Sequence, residues 1–156
     1  MTLIYILYSL IGLVLIGIDY IIKMQAFEYL RGLPSVPAIE GILHFRYCEN
    51  TGAAFSLFRG KADILGIVSA VVIVLLIVGL IIEKPKSNLL LSAMTLLIAG
   101  GTGNVIDRFM RGFVVDFIEL PFIPFPIFNV ADIYVCTGAG LLILYIIKRF
   151  GKVDNK

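Results

Sequence analysis

The sequence predicts a membrane all-α bundle of four transmembrane helices, with a small extracytoplasmic β-sheet and a loop capping the outer end. Three observations predict it: an apolar composition, four long uncharged stretches, and polar residues gathered at one end of those stretches. Of 156 residues, 60% are hydrophobic and 15% charged, with a mean hydropathy of +1.01. A soluble domain carries roughly 25% charged residues, so a water-facing surface cannot be built from this inventory. The composition excludes a soluble globular enzyme and a disordered chain. Thirteen basic against eleven acidic residues give no field for phosphates, so no nucleic-acid partner is expected.

The uncharged stretches are Met1 to Ile18, Ile64 to Ile82, Leu89 to Ile106 and Ile133 to Ile147. Each approaches the ~20 residues needed to cross the hydrocarbon of a bilayer. The first lacks a basic leader and a small-residue cleavage site, so it reads as a span rather than a secretory signal. Residues 1–156 then form a single integral membrane domain, with spans at about 3–22, 63–82, 88–106 and 131–148. Four spans put both termini on one side. The connections are long (Lys23 to Asp63), very short (Glu83 to Asn88) and medium (Asp107 to Asp132), and the short one makes spans two and three a hairpin.

Lys84 and Lys86 in the short connection and Lys148, Arg149, Lys152 and Lys156 in the tail form the denser basic set. Lys23, Arg31, Arg46, Arg59, Lys61, Arg108 and Arg111 are spread over the other side among acids. Basic density marks the cytoplasmic side, so both termini are expected in the cytoplasm and the site toward the outer face. Asp19, Asp63, Asp107, Asp116 and Asp132 all thread to that outer side, with Asn50, Asn104 and Asn129 at the same level. Ionised carboxylates in hydrocarbon are costly and kept for a purpose, so the chemistry belongs to this layer.

Alternating polar and apolar residues from Ile42 to Cys48 predict a strand, and Gly112 to Phe117 can pair with it. Five phenylalanines between Phe113 and Phe128, interleaved with Pro121, Pro124 and Pro126, predict a stiff apolar loop at the headgroup level. Asn50-Thr51-Gly52 followed by Ala53-Ala54 has no bulk, which predicts a backbone passing close to something else.

Asp19 and Lys23 are four residues apart, and Asn104, Asp107 and Arg108 share a helical face, so two local ion pairs are expected. Asp116 and Asp132 have no basic residue at helical spacing on their own elements. Two carboxylates brought together share one proton, and such a pair activates water against a carbonyl. Structural acids are the alternative for these positions. Cys48, Cys136 and His44 form no ligand or nucleophile–base arrangement, so neither metal nor cofactor is expected.

Four blocks resemble the signature blocks of the bacterial lipoprotein signal peptidases (signal peptidase II). They are Asn50-Thr51-Gly52-Ala53-Ala54-Phe55-Ser56, Gly103-Asn104-Val105-Ile106-Asp107-Arg108, Val114-Val115-Asp116-Phe117 and Phe128-Asn129-Val130-Ala131-Asp132. They stand in the family's order, with its length and span count. The resemblance implies an aspartic intramembrane endopeptidase that removes the signal peptide of prolipoproteins just before the diacylglyceryl-modified cysteine. It implies Asp116 and Asp132 as the catalytic dyad, supported by Asn50, Gly52, Asn104, Arg108 and Asn129. Asp19 and Lys23 match a first-helix Asp-Gln-x-x-Lys motif, although Tyr20 stands where the family usually has Gln. The expected partners are prolipoproteins and membrane lipid, with the chain working as a monomer. The alternative from another class is a small transporter or proton-relay protein, whose sites lie near the bilayer midplane.

Overall fold

A computed structural model describes residues 2–52 and 60–150. The order is α1 (Thr2–Tyr29), β1 (Val36–Ile39), β2 (Leu43–Asn50), α2 (Ala62–Glu83), α3 (Asn88–Arg111), β3 (Val114–Glu119) and α4 (Val130–Phe150). All four helices are long and apolar enough to cross a membrane. The Ala53–Ser56 part of the first signature block and the basic residues Arg59, Lys152 and Lys156 lie outside the described residues.

α3 is the central helix and packs against α1, α2 and α4. Its small residues make this possible, because without a hydrophobic force between helices in lipid, close van der Waals packing drives association. A Cβ on Gly100 would overlap the Ala131 carbonyl of α4, and one on Gly138 would crowd the Ala93 carbonyl of α3 at 2.9 Å. Both helices therefore approach backbone to backbone. The lipid-facing sides of α1, α2 and α4 expose Leu, Ile and Val along their length.

Two helix ends differ from expectation. α1 continues past residue 22 to Tyr29, since no breaker intervenes before Gly32 and Pro34. The extra turns flank the end of α3, where Arg111 reaches Met24 and Phe27, and offer Ala26 and its neighbours as the surface on which the sheet packs, with Val115 and Phe117 opposite. α3 continues past residue 106 to Arg111 and stops at Gly112, whose φ of 75° is a left-handed cap that glycine adopts without strain. The reversal at Gly112 returns the chain over the bundle as β3.

The sheet has order β1-β2-β3, all antiparallel. β2 and β3 are the pair expected, shifted to Val114–Glu119 for the second strand; β1 is additional. The stiff apolar loop is accordingly shorter, beginning after Glu119. A bulge in β2 sets Arg46 and Tyr47 opposite Phe117, between the pairs Phe45↔Ile118 and Cys48↔Asp116. A bulge re-aims the side chains beyond it. Phe45 and Tyr47 both join the apolar cluster on α1, while Asn50 turns to the face that carries Asp116.

Candidate active site

Asp116 lies in the middle of β3 and is 2% exposed. Asp132 lies in the first turn of α4. Asn129 precedes that helix and caps it reciprocally: its Oδ1 accepts the Asp132 backbone N–H at 3.0 Å, and its own N–H donates to Asp132 Oδ2 at 3.1 Å. Such a capping box satisfies two orphan donors of a helix start. Here its acidic member is one of the two aspartates. The Asn129 amide also donates to Asp116 Oδ1 at 2.6 Å, so one residue holds both acids, Asp132 through its backbone N–H and Asp116 through its side chain.

The second oxygen of each carboxylate is also held. Asn50 Nδ2 donates to Asp116 Oδ2 at 2.9 Å, and Asn104 Nδ2 donates to Asp132 Oδ1 at 2.8 Å. Burial pushes the Asp116 carboxyl up to about 7, and the nearby Asp132 charge adds to the rise; the Asn50 and Asn129 donors oppose it. Among the described residues neither aspartate has an ion-pair partner.

Beneath this pair lies a buried charged layer. Lys23 Nζ is 2.9 Å from Asp19, 3.4 Å from Asp107 and 2.8 Å from Asn104 Oδ1. Asp19 accepts the Ala131 backbone N–H at 2.9 Å, tying α1 to the start of α4. Asp107 accepts the Val115 backbone N–H at 3.1 Å, tying α3 to β3. Gly103 leaves the space for this arrangement, since a Cβ there would overlap the Asp19 carboxylate. The expected Asp19–Lys23 ion pair is present. The expected pairing of Asp107 with Arg108 is not: Asp107 binds Lys23 and, at 3.2 Å, Arg111 four residues on. Adjacent helical residues diverge by about 100°, and Arg108 points instead toward the Asn50–Gly52 turn. Its Nη2 donates to the Gly52 carbonyl at 3.1 Å.

That turn is an Asx type, with the Gly52 N–H donating to Asn50 Oδ1 at 2.9 Å. Gly52 is buried, as the small-residue run predicts, and the group passing close by is the Arg108 guanidinium. Asn50, Gly52, Asn104, Arg108, Asn129, Asp19 and Lys23 thus all belong to one connected assembly with Asp116 and Asp132. The Lys23–Asp107–Arg111 bridge is an addition; the i,i+4 spacing of Asp107 and Arg111 was the available signal. Among the described residues no three His, Cys, Asp or Glu side chains form a metal-binding group.

A groove of about 940 Å³ opens over the two aspartates. Its sheet wall is charged, with Arg46, Glu49 and Glu119; its other wall is the apolar run Phe125 to Phe128. The groove continues down α4 past Asp132 along Ile133, Cys136 and Thr137. Phe122, Ile123 and Phe125 are exposed beside it. Arg46 and Glu119 pair at 3.1 Å across β2 and β3, a contact that depends on strand register.

Comparison with known proteins agrees along nearly the whole chain. The family model described as signal peptidase (SPase) II matches residues 11–148. A lipoprotein signal peptidase of Clostridium tetani is 38% identical over 149 residues, which is 92% of this chain and 96% of that protein. One from Streptococcus thermophilus is 39% identical over 137 residues, 88% of this chain and 90% of that protein. A solved bacterial membrane enzyme superposes with a TM-score of 0.87 at 29% identity, covering 93% of this chain and 90% of its own.

Proposed function

The chain belongs to the signal peptidase (SPase) II family, and from that premise we propose that it cleaves the signal peptide of prolipoproteins with Asp116 and Asp132 as the catalytic dyad. The observation that carries this reading is the doubly held pair of carboxylates: two otherwise unneutralised acids, joined through Asn129, at the floor of one groove.

In the proposed mechanism Asp116 holds the shared proton at rest and Asp132 is ionised. Asp132 sits in the first turn of α4, where the helix dipole favours negative charge, and both its oxygens receive N–H donors. Asp116 sits on a strand, deeply buried, where the neutral form is favoured. Asp132 takes a proton from the attacking water, and Asp116 polarises the scissile carbonyl with its own. Collapse of the tetrahedral intermediate then returns a proton to the leaving amine.

The groove's course along α4 suits a bond next to a diacylglyceryl cysteine. Removing acyl chains from the bilayer costs ~0.8 kcal/mol per CH₂, so the peptide enters sideways while its lipid stays in the membrane. The exposed Phe122, Ile123 and Phe125 form the lip of that entrance. Cleavage immediately before the modified cysteine follows from seating the lipid at this lip and the peptide over the dyad. Lys84, Lys86, Lys148 and Arg149 flank the bundle end opposite the sheet, which supports cytoplasmic termini and an outward-facing site. The protein acts as a monomer in this scheme, since one chain supplies both aspartates.

The test is replacement of each aspartate by asparagine. Asp116→Asn and Asp132→Asn are each expected to abolish processing of a diacylglyceryl prolipoprotein by purified protein that still unfolds cooperatively. Retained cleavage by either folded variant removes the dyad.

A further inference from the structure

We propose that Lys23 is a positioning residue for Asp132, acting through the side-chain amide of Asn104; the proposal rests on the catalytic reading of Asp132. Lys23 is 1% exposed, and an ammonium has three protons to donate and nothing to accept. It has three acceptors: Asp19 at 2.9 Å, Asp107 at 3.4 Å and Asn104 Oδ1 at 2.8 Å. Neutralising the two acids accounts for the first two contacts only. The third goes to a neutral amide one bond network away from Asp132.

That third contact helps to fix which way Asn104 faces. Its Oδ1 accepts from Lys23 and also from Asn129 Nδ2 at 3.1 Å, and its Nδ2 donates to Asp132 Oδ1 at 2.8 Å. A flipped amide would set N–H donors against both the ammonium and the Asn129 amide. It would also set its oxygen against the Asp132 carboxylate. The flip exchanges three attractive contacts for three repulsive ones, so Lys23 and Asn129 together select a single orientation. Asp132 Oδ1 is thereby given a donor, and the other oxygen is held by the Asn129 N–H. Without Lys23 one of the three contacts that select this orientation is lost, and the amide that donates to the Asp132 carboxylate is held less firmly.

The experiment separates the hydrogen bond from the charge. In an Asp19→Asn background, Lys23→Gln and Lys23→Met each remove one positive charge against one negative, and Asn at 19 retains an oxygen for the Ala131 N–H. Gln keeps an N–H donor for Asn104; Met has none. On diacylglyceryl prolipoprotein, Lys23→Met is expected to have a kcat lower than Lys23→Gln by about 10–100-fold, as loss of an orienting partner does at other sites. KM and the unfolding temperature should match between the two. Equal kcat in both, or a difference confined to KM, overturns the proposal. If neither double variant folds, Asn104→Ala with Lys23 intact decides: kcat unchanged there also overturns it. Cleavage retained by Asp132→Asn would instead overturn the catalytic reading.

Discussion

Asn129 and Asp132 hold each other: the side-chain oxygen of Asn129 takes the backbone N–H of Asp132 at 3.0 Å, and the carboxylate of Asp132 takes the backbone N–H of Asn129 at 3.1 Å. One residue therefore starts α4 and orients the acid that the helix presents, while its amide reaches Asp116 as well.

Asn129→Ala is expected to lower stability by about 1 kcal/mol, the usual worth of a helix cap. Its effect on catalysis should be far larger, because the lost amide is the donor to Asp116 Oδ1 and to Asn104 Oδ1, while the backbone N–H that Asp132 accepts remains. Thermal unfolding and kcat measured on the same preparation check the disparity; a loss of kcat no greater than the loss of folded protein contradicts it.

The pH dependence follows from Asp116. Its carboxyl binds a proton more tightly in the folded chain, at about 7, than at its ordinary value of 3.8. Between those values the native state carries more protons than the unfolded one. This contribution to stability therefore falls as pH rises from about 4 to about 7 and is level above. Asp116→Asn should remove that slope from the unfolding temperature measured against pH. For catalysis, kcat/KM should decline on the alkaline side with an apparent midpoint near 7 that belongs to the coupled pair.

Gly103→Ala should cost both stability and activity, by roughly 1–3 kcal/mol in folding as overpacked sites do, because the new methyl overlaps the Asp19 carboxylate. Gly140→Ala is the control, with open space where its Cβ would be. Equal unfolding temperatures for the two variants would contradict the tight placement of Asp19.

Acylation of the substrate should be needed for good turnover. Purified enzyme is expected to cleave the unmodified precursor much more slowly than the diacylglyceryl form, in detergent and in bilayers. Equal rates would show that the groove does not recognise lipid sideways, whatever the aspartates do.

The spans and the polar layer were legible because membrane insertion depends on local runs of apolar residues, which a sequence displays directly. Asp116 and Asp132 stood out because nothing at helical spacing neutralised them. The partners that hold them were harder to read. Lys23 and Asn104 are 81 positions apart, and no periodicity announces such a contact. Asp107 was matched to its chain neighbour Arg108 when its partner is one turn on, and β1 was missed because Pro34 and Pro37 interrupt the alternation that marks a strand. The resemblance to known signature blocks supplied the candidate site residues; the order in which they touch came from the fold.

The bond from Asp19 to the Ala131 N–H spans 112 positions, joining the first helix to the last. During synthesis the acid on α1 enters the membrane long before its partner exists, and Asp116 emerges without Asp132 beside it. On the dyad proposed above, a partly made chain would hold only half of it, so cleavage would have to wait until α4 docks against α1.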